Sequence, residues 1–211
     1  MNSLSPRGTW VLQNTKSGKI LHVGFAGCDD DPDTLFTQTV RLFPQSEVFG
    51  VDINAKKIKK LARPNTKVAD GKHLPFKTNT FECVVLAEVL EHQTAPFEFI
   101  TEAYRVLKDD GIFLITTPNP LGVFRWLKHY IFARDIGNKG NVLTYMGSSD
   151  HKMFIEPLSL ISLLYLAKFR KVIVTTKNPS YPYFPKKLRE LEIPFWPFTR
   201  LGTYSCLKAV K

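Results

Sequence analysis

Cysteine is scarce in this chain: Cys28, Cys83 and Cys206 are the only three among 211 residues, odd in number and far apart. That excludes a disulfide framework and leads us to expect a reduced, cytoplasmic setting. Long apolar runs are missing too. A membrane span needs ~18–20 consecutive apolar residues, whereas the best stretches, 121–133 and 157–167, are shorter and the first is interrupted by Arg125, Lys128 and His129. The opening residues lack the charged, apolar and small-residue succession of a secretion signal, so export is not expected. There is no internal repeat and no low-complexity tract, and 44% hydrophobic residues is too many for a disordered chain. The expectation is a single folded domain over residues 1–211, at most peripheral to a membrane.

Negative charge is the other shortage, 19 Asp+Glu against 29 Lys+Arg, for a net charge of +10. The imbalance is local. Residues 1–117 carry fourteen of each sign, and residues 118–211 carry fifteen basic against five acidic residues. Fifteen of the 26 aromatic residues lie in that second part as well. The two parts are therefore expected to face different partners.

What is present is an alternation of short apolar runs and amphipathic stretches. Strands are expected at 19–25, 47–53, 66–69, 81–87 and 112–117, with helices at 32–43, 55–62 and 96–107 between them. Asn54 suits the N-cap of the second helix, and Asp109-Asp110-Gly111 a stop for the third. The alternation resumes with a helix at 157–169, a strand at 171–176 and a last strand at 203–210. Continuous apolar strands separated by helices imply an α/β fold, a doubly wound and mostly parallel sheet covered on both faces. Two stretches break the rhythm, 118–154 with one aromatic helical segment at 123–133, and the Pro-rich and aromatic 178–199. Insertions of that length more often serve function than not.

Open α/β sheets bind ligands beyond the carboxyl ends of their strands. The first such loop, Gly24-Phe25-Ala26-Gly27, has small residues that let a ligand approach the backbone, although the same glycines suit a plain tight turn. The second strand ends in Asp52, about 25 residues beyond Gly27, where a carboxylate can accept hydrogen bonds from both ribose hydroxyls of a nucleoside. Asp29, Asp30, Asp31 and Asp33 at the start of the first helix would repel a pyrophosphate. A nucleoside cofactor without phosphate is favoured, and S-adenosyl-L-methionine is one.

At this point the sequence resembles the class I S-adenosylmethionine-dependent methyltransferases of the ubiquinone/menaquinone-methyltransferase-like, type 11, group. The resemblance is strongest over 19–119 and rests on ILHVGFAG, VFGVDIN, VADGKHLPF, FECVVLAEVLEH, EAYRVLKDDGIFLITTPN and the later DHKMFIEPLSLISLL. It implies the family's seven-stranded Rossmann-like sheet with an antiparallel last strand. It also implies that Gly24, Phe25, Ala26 and Gly27 line the methionine end of the cofactor, that Asp52 holds the ribose with Ile53 beside the adenine, that Asp70 and Gly71 meet the adenine amino group, and that Ala87 and Glu88 border the sulfonium. Other readings stay open: Asp70 can close an Asp-Gly turn, and Glu88, Glu91 and His92 can cap a short helix. The first motif departs from the family's usual acid-x-Gly-x-Gly-x-Gly, with His22 at the acidic position and Ala26 and Cys28 at two glycine positions. Those departures motivate an alternative, a noncatalytic module that retains the cofactor fold.

Methyl transfer to a hydroxyl needs removal of a proton, and imidazole is the side chain matched to neutral pH. His92, after the fourth strand, and His151, in Ser149-Asp150-His151, are the candidates; His151 equally suits a surface or capping position. The resemblance makes 118–154 and 178–199 the cap over the acceptor. Their interleaved aromatic and basic residues suit a saccharide, glycolipid or polyprenyl acceptor, free or carrier-linked, and peripheral contact with an anionic membrane. Nucleic acid ranks behind these, as the acceptor of an RNA methyltransferase.

Overall fold

The computed structural model describes residues 5–26, 35–122, 151–177, 202 and 204–211. The acidic loop with Gly27, the helix expected at 123–133 and all of 178–199 lie outside the described residues.

Seven strands form one sheet: β1 (Lys19–Val23), β2 (Glu47–Asp52), β3 (Thr66–Val68), β4 (Phe81–Ala87), β5 (Leu107–Pro118), β6 (Lys171–Lys177) and β7 (Tyr204–Val210). Their order is β3-β2-β1-β4-β5-β7-β6. The first five pair in parallel, and β7 runs antiparallel between β5 and β6. This is the expected doubly wound sheet with its last strand reversed.

Alternation along the strands explains why both faces are covered. Leu21, Val23, Val84 and Leu86 join one buried cluster with Phe99 and Ile100 of α4 (Pro96–Val106) and Leu160 and Leu164 of α5 (Pro157–Leu166). The neighbouring positions Ile20, Cys83 and Val85 join the other with Trp10 and Val11 of α1 (Pro6–Asn14) and Phe36 of α2 (Leu35–Leu42). The short α3 (Ala55–Leu61) rests Ile58 and Leu61 on that second cluster. Each large side chain buried in this way contributes about 1.5–3 kcal/mol.

Several boundaries differ from the sequence expectation, each for a local reason. β1 stops at Val23 because Gly24 turns the chain at φ +71°. α3 stops at Leu61 because Ala62 is left-handed. α4 ends at Val106, and β5 begins at Leu107, five residues ahead of the expected start. Leu107 pairs with Phe81, the chain bends at Asp110 with φ +59°, and pairing resumes with Ile112 opposite Cys83. α5 is shorter than expected, with Lys168 at φ +74° beyond its end. Helix α1 is an addition: Ser5 accepts from the Gly8 amide at 3.3 Å, and Pro6 occupies the first turn where its missing N–H is harmless.

The chain builds outward from β1 through β2 to β3, then returns to place β4 and β5 on the other side of β1. The strand order reverses between β1 and β4, and the carboxyl ends of these two strands flank the crevice where such sheets bind ligands.

Candidate active site

Asp52 ties the first two loops together. Its Oδ2 accepts from the Ala26 amide at 3.0 Å and its Oδ1 from the Asn54 amide at 2.8 Å. Both bonds fix the orientation of the carboxylate, and each oxygen keeps a further lone pair for a ligand hydroxyl. Beside it Ile53 leaves 72% of its surface exposed, an uncovered apolar face next to a fixed acceptor. The Ala69 amide donates to the Asp52 carbonyl at 3.0 Å, which brings the end of β3 to the same place.

The loop after β1 is held from both sides. The Gly24 amide donates to the Val51 carbonyl at 2.8 Å, and a Cβ on Gly24 would lie 2.5 Å from Val89 Cγ2. Positive φ and this close approach both require glycine. Phe25 faces inward, its ring 4.7 Å from that of Phe36 and packed over Gly50. Its contribution to the site is therefore main chain and support.

His22 is also internal. Only 3% exposed, it meets Phe36 edge-on at 5.6 Å, and burial pushes its imidazole down to about 3, leaving it neutral. At the position where the family carries an acid, this chain has an uncharged packing residue beneath the loop.

Asp70 does close a turn: its Oδ1 accepts from the Lys72 amide at 3.0 Å and its carbonyl from the His73 amide at 2.9 Å. The turn sets the carboxylate at the end of β3. Gly71 packs against the Phe99 ring and Val23, with no space for a Cβ.

After β4 the chain turns through a left-handed residue. Glu88, which follows Ala87 at the strand end, has φ +55°, and its amide donates to the Thr116 carbonyl at 2.9 Å. Its Oε1 accepts from the Thr116 hydroxyl at 3.1 Å, and its Oε2 pairs with Arg7 of α1 at 2.9 Å. The Arg7 guanidinium also lies 4.5 Å over the Tyr204 ring. Leu90–His92 forms a single 3₁₀ turn without a side-chain cap, so Glu88, Glu91 and His92 are not spent on capping.

His92 and His151, 59 positions apart in sequence, come together with ring centroids 4.7 Å apart and nearly perpendicular planes. The Lys152 and Met153 amides both donate to the Glu91 carbonyl, at 2.8 and 3.3 Å, and lock the His151 segment onto the 3₁₀ turn. Glu91, in the same turn as His92, is 1% exposed. Its Oε2 accepts from the Thr117 hydroxyl at 3.4 Å, and its Oε1 has no hydrogen-bond partner among the described residues. Burial first, and the nearby Glu88 charge second, push its carboxyl up to about 8. One ligand atom from each of Glu91, His92 and His151 lies within 4.8 Å of the others. Sequence reasoning had placed Glu91 only as a capping alternative, and Arg7, Thr116 and Thr117 gave no signal because their partners are 26 or more residues away.

Residues 33–115 match the methyltransferase domain family, type 11. That stretch carries the pattern of an S-adenosylmethionine-dependent methyltransferase domain. Among curated proteins, the demethylmenaquinone methyltransferase of Lactobacillus johnsonii is 28% identical over 201 residues, covering 84% of this chain and 82% of that protein. The ubiquinone biosynthesis O-methyltransferase of Pelagibacter ubique is 30% identical over 128 residues, covering 56% of this chain and 50% of that protein. Among solved structures, a SAM-dependent methyltransferase from Archaeoglobus fulgidus superposes with a TM-score of 0.64 at 18% identity, covering 96% and 90% of the two chains. The cofactor of this methyltransferase domain is S-adenosylmethionine, and the residues suit it. An anchored carboxylate beside an exposed apolar side chain matches a ribose carrying a purine, and the Glu88 carboxylate after β4 suits the neighbourhood of a sulfonium cation.

Proposed function

We propose that this methyltransferase acts on a hydroxyl group of a polyprenyl or quinone-type acceptor, free or carrier-linked, and that Glu91, His92 and His151 form the end of the site where that hydroxyl gives up its proton. The observation carrying this reading is the meeting of these three side chains at the carboxyl end of β4, next to Glu88. S-adenosylmethionine supplies a methyl group already activated on a sulfonium, so the protein's part is alignment, exclusion of water and handling of the acceptor's proton. Asp52 with Ile53 orients the nucleoside, Asp70 at the end of β3 meets the adenine amino group, and Gly24 and Ala26 face the methionine part. Glu88, held by Arg7 and Thr116, keeps the wall after β4 negative opposite the cation.

The two insertions cover the acceptor. Their ends support this: Asn119, buried at the start of the first, donates to the Gly202 carbonyl at 2.7 Å, just after the second, and Gly202 donates to the Thr176 hydroxyl at 3.0 Å, just before it. His151 closes the first insertion onto His92. Among the three acceptor classes that the basic and aromatic composition suits, the Lactobacillus and Pelagibacter relatives favour the polyprenyl one through their quinone substrates, and an acceptor of that kind brings the protein to a membrane surface.

The test is transfer of labelled methyl from S-adenosylmethionine into lipid, glycan and RNA fractions of the source cell. Label in a lipid fraction, as an ether, is expected. Label confined to RNA, or absent from every fraction, would refute the acceptor assignment.

A further inference from the structure

We infer that Glu91, His92 and His151 form a binding site for one divalent transition-metal ion, zinc by the chemistry of its ligands. The inference rests on the reading of this cluster as the acceptor end of the methyltransferase site and says how that end works.

The donor set is two imidazole nitrogens and one carboxylate oxygen, the combination that suits zinc and its first-row neighbours, where calcium and magnesium prefer oxygen alone. The three ligand atoms lie within 4.8 Å of one another. Three atoms so spaced all lie within about 2.8 Å of some common point, and side-chain rotation closes that to the ~2.0–2.2 Å of zinc bonds. The site is assembled from two chain segments that main-chain bonds already lock together, the Lys152 and Met153 amides both donating to the Glu91 carbonyl.

Glu91 is the independent indication. A buried carboxyl oxygen with no hydrogen-bond partner is costly unless a cation or proton satisfies it. Glu91 is 1% exposed, and its Oε1 has none among the described residues. Its other oxygen accepts from Thr117, the outer partner that ligating carboxylates ordinarily have. Three protein ligands leave a coordination position for the acceptor's oxygen, and a divalent ion there lowers the cost of releasing the hydroxyl proton to water. The two histidines then act on the hydroxyl through the ion, as ligands.

The test uses the full chain, stripped with a chelator and dialysed, then titrated with Zn²⁺ by calorimetry and with Co²⁺ by visible absorption. Expected are one ion per chain and Co²⁺ bands of four- or five-coordinate geometry, with affinity lowered about tenfold or more in Glu91→Gln and in His151→Ala. Circular dichroism checks that each variant folds; if Glu91→Gln does not, His92→Ala together with His151→Ala decides. No saturable binding, or an affinity the variants leave unchanged, overturns the inference. S-adenosylmethionine is titrated into the same preparations: binding of the nucleoside without binding of zinc overturns the metal site and leaves the methyltransferase assignment standing.

Discussion

His22 shows how one residue's surroundings become a property of the whole chain. Burial holds its imidazole neutral down to about 3 in the folded protein, against 6.5 when unfolded. Below pH 6.5 the unfolded state binds a proton that the folded state refuses, so stability falls as pH falls through that window. Between pH 7 and pH 5 this one group is expected to remove about 2 kcal/mol. Urea midpoints at the two pH values check it: the His22→Leu variant should lose less stability on acidification than the parent, and an equal loss in both would contradict the assignment. Gly71 makes a steric prediction of the same scale. A Cβ there runs into the Phe99 ring and Val23, so Gly71→Ala should lower stability by about 1–3 kcal/mol, read from the thermal midpoint.

At the scale of elements, the junction of the two insertions depends on Asn119. Its amide side chain donates to the Gly202 carbonyl, and its carbonyl oxygen accepts from the Leu121 amide at 3.1 Å. Asn119→Ala leaves a buried carbonyl without its partner and should cost about 1–3 kcal/mol, lowering the melting temperature while affinity for S-adenosylmethionine is held, since Asp52 lies across β1 and β4 from the junction. Strands β1, β4 and the second half of β5 were legible in the sequence because they are continuous apolar runs covered on both faces, and Gly24 after β1 and the Asp109-Asp110-Gly111 bend before Ile112 carry strong local preferences. Asp52 was legible for a related reason, its distance from the first loop being a consequence of one β-α-β unit. Helix α1 was not: Gly8 and Thr9 weaken its helical signal, and its stability comes from burying Trp10 and Val11 on a sheet formed later in the chain. The Glu91, His92 and His151 cluster was half legible. The two histidines stood out by chemistry, but their meeting, and the burial that singles out Glu91, come from β4 and the segment after residue 150 folding side by side.

At the scale of the whole molecule, the neutral first part carries the proposed nucleoside crevice and the +10 excess falls wholly in the second. No helix among the described residues is long and apolar enough to cross a membrane. Under the proposed function, the basic second part is the surface that would meet a lipid-borne acceptor. Co-sedimentation with anionic vesicles is expected at low ionic strength and should fall away as salt shortens the Debye length from ~30 Å at 0.01 M to ~8 Å at 0.15 M; no binding at low salt would contradict a peripheral role. The crevice itself underlies everything else, and Asp52 is its most exposed commitment. Calorimetric titration of S-adenosylmethionine into the parent chain and into Asp52→Ala is the direct measurement. Saturable binding to the parent, weakened about tenfold or more in the variant by loss of charge-assisted hydrogen bonds, is the expected result, and no binding to the parent, or equal affinity in both, would contradict it.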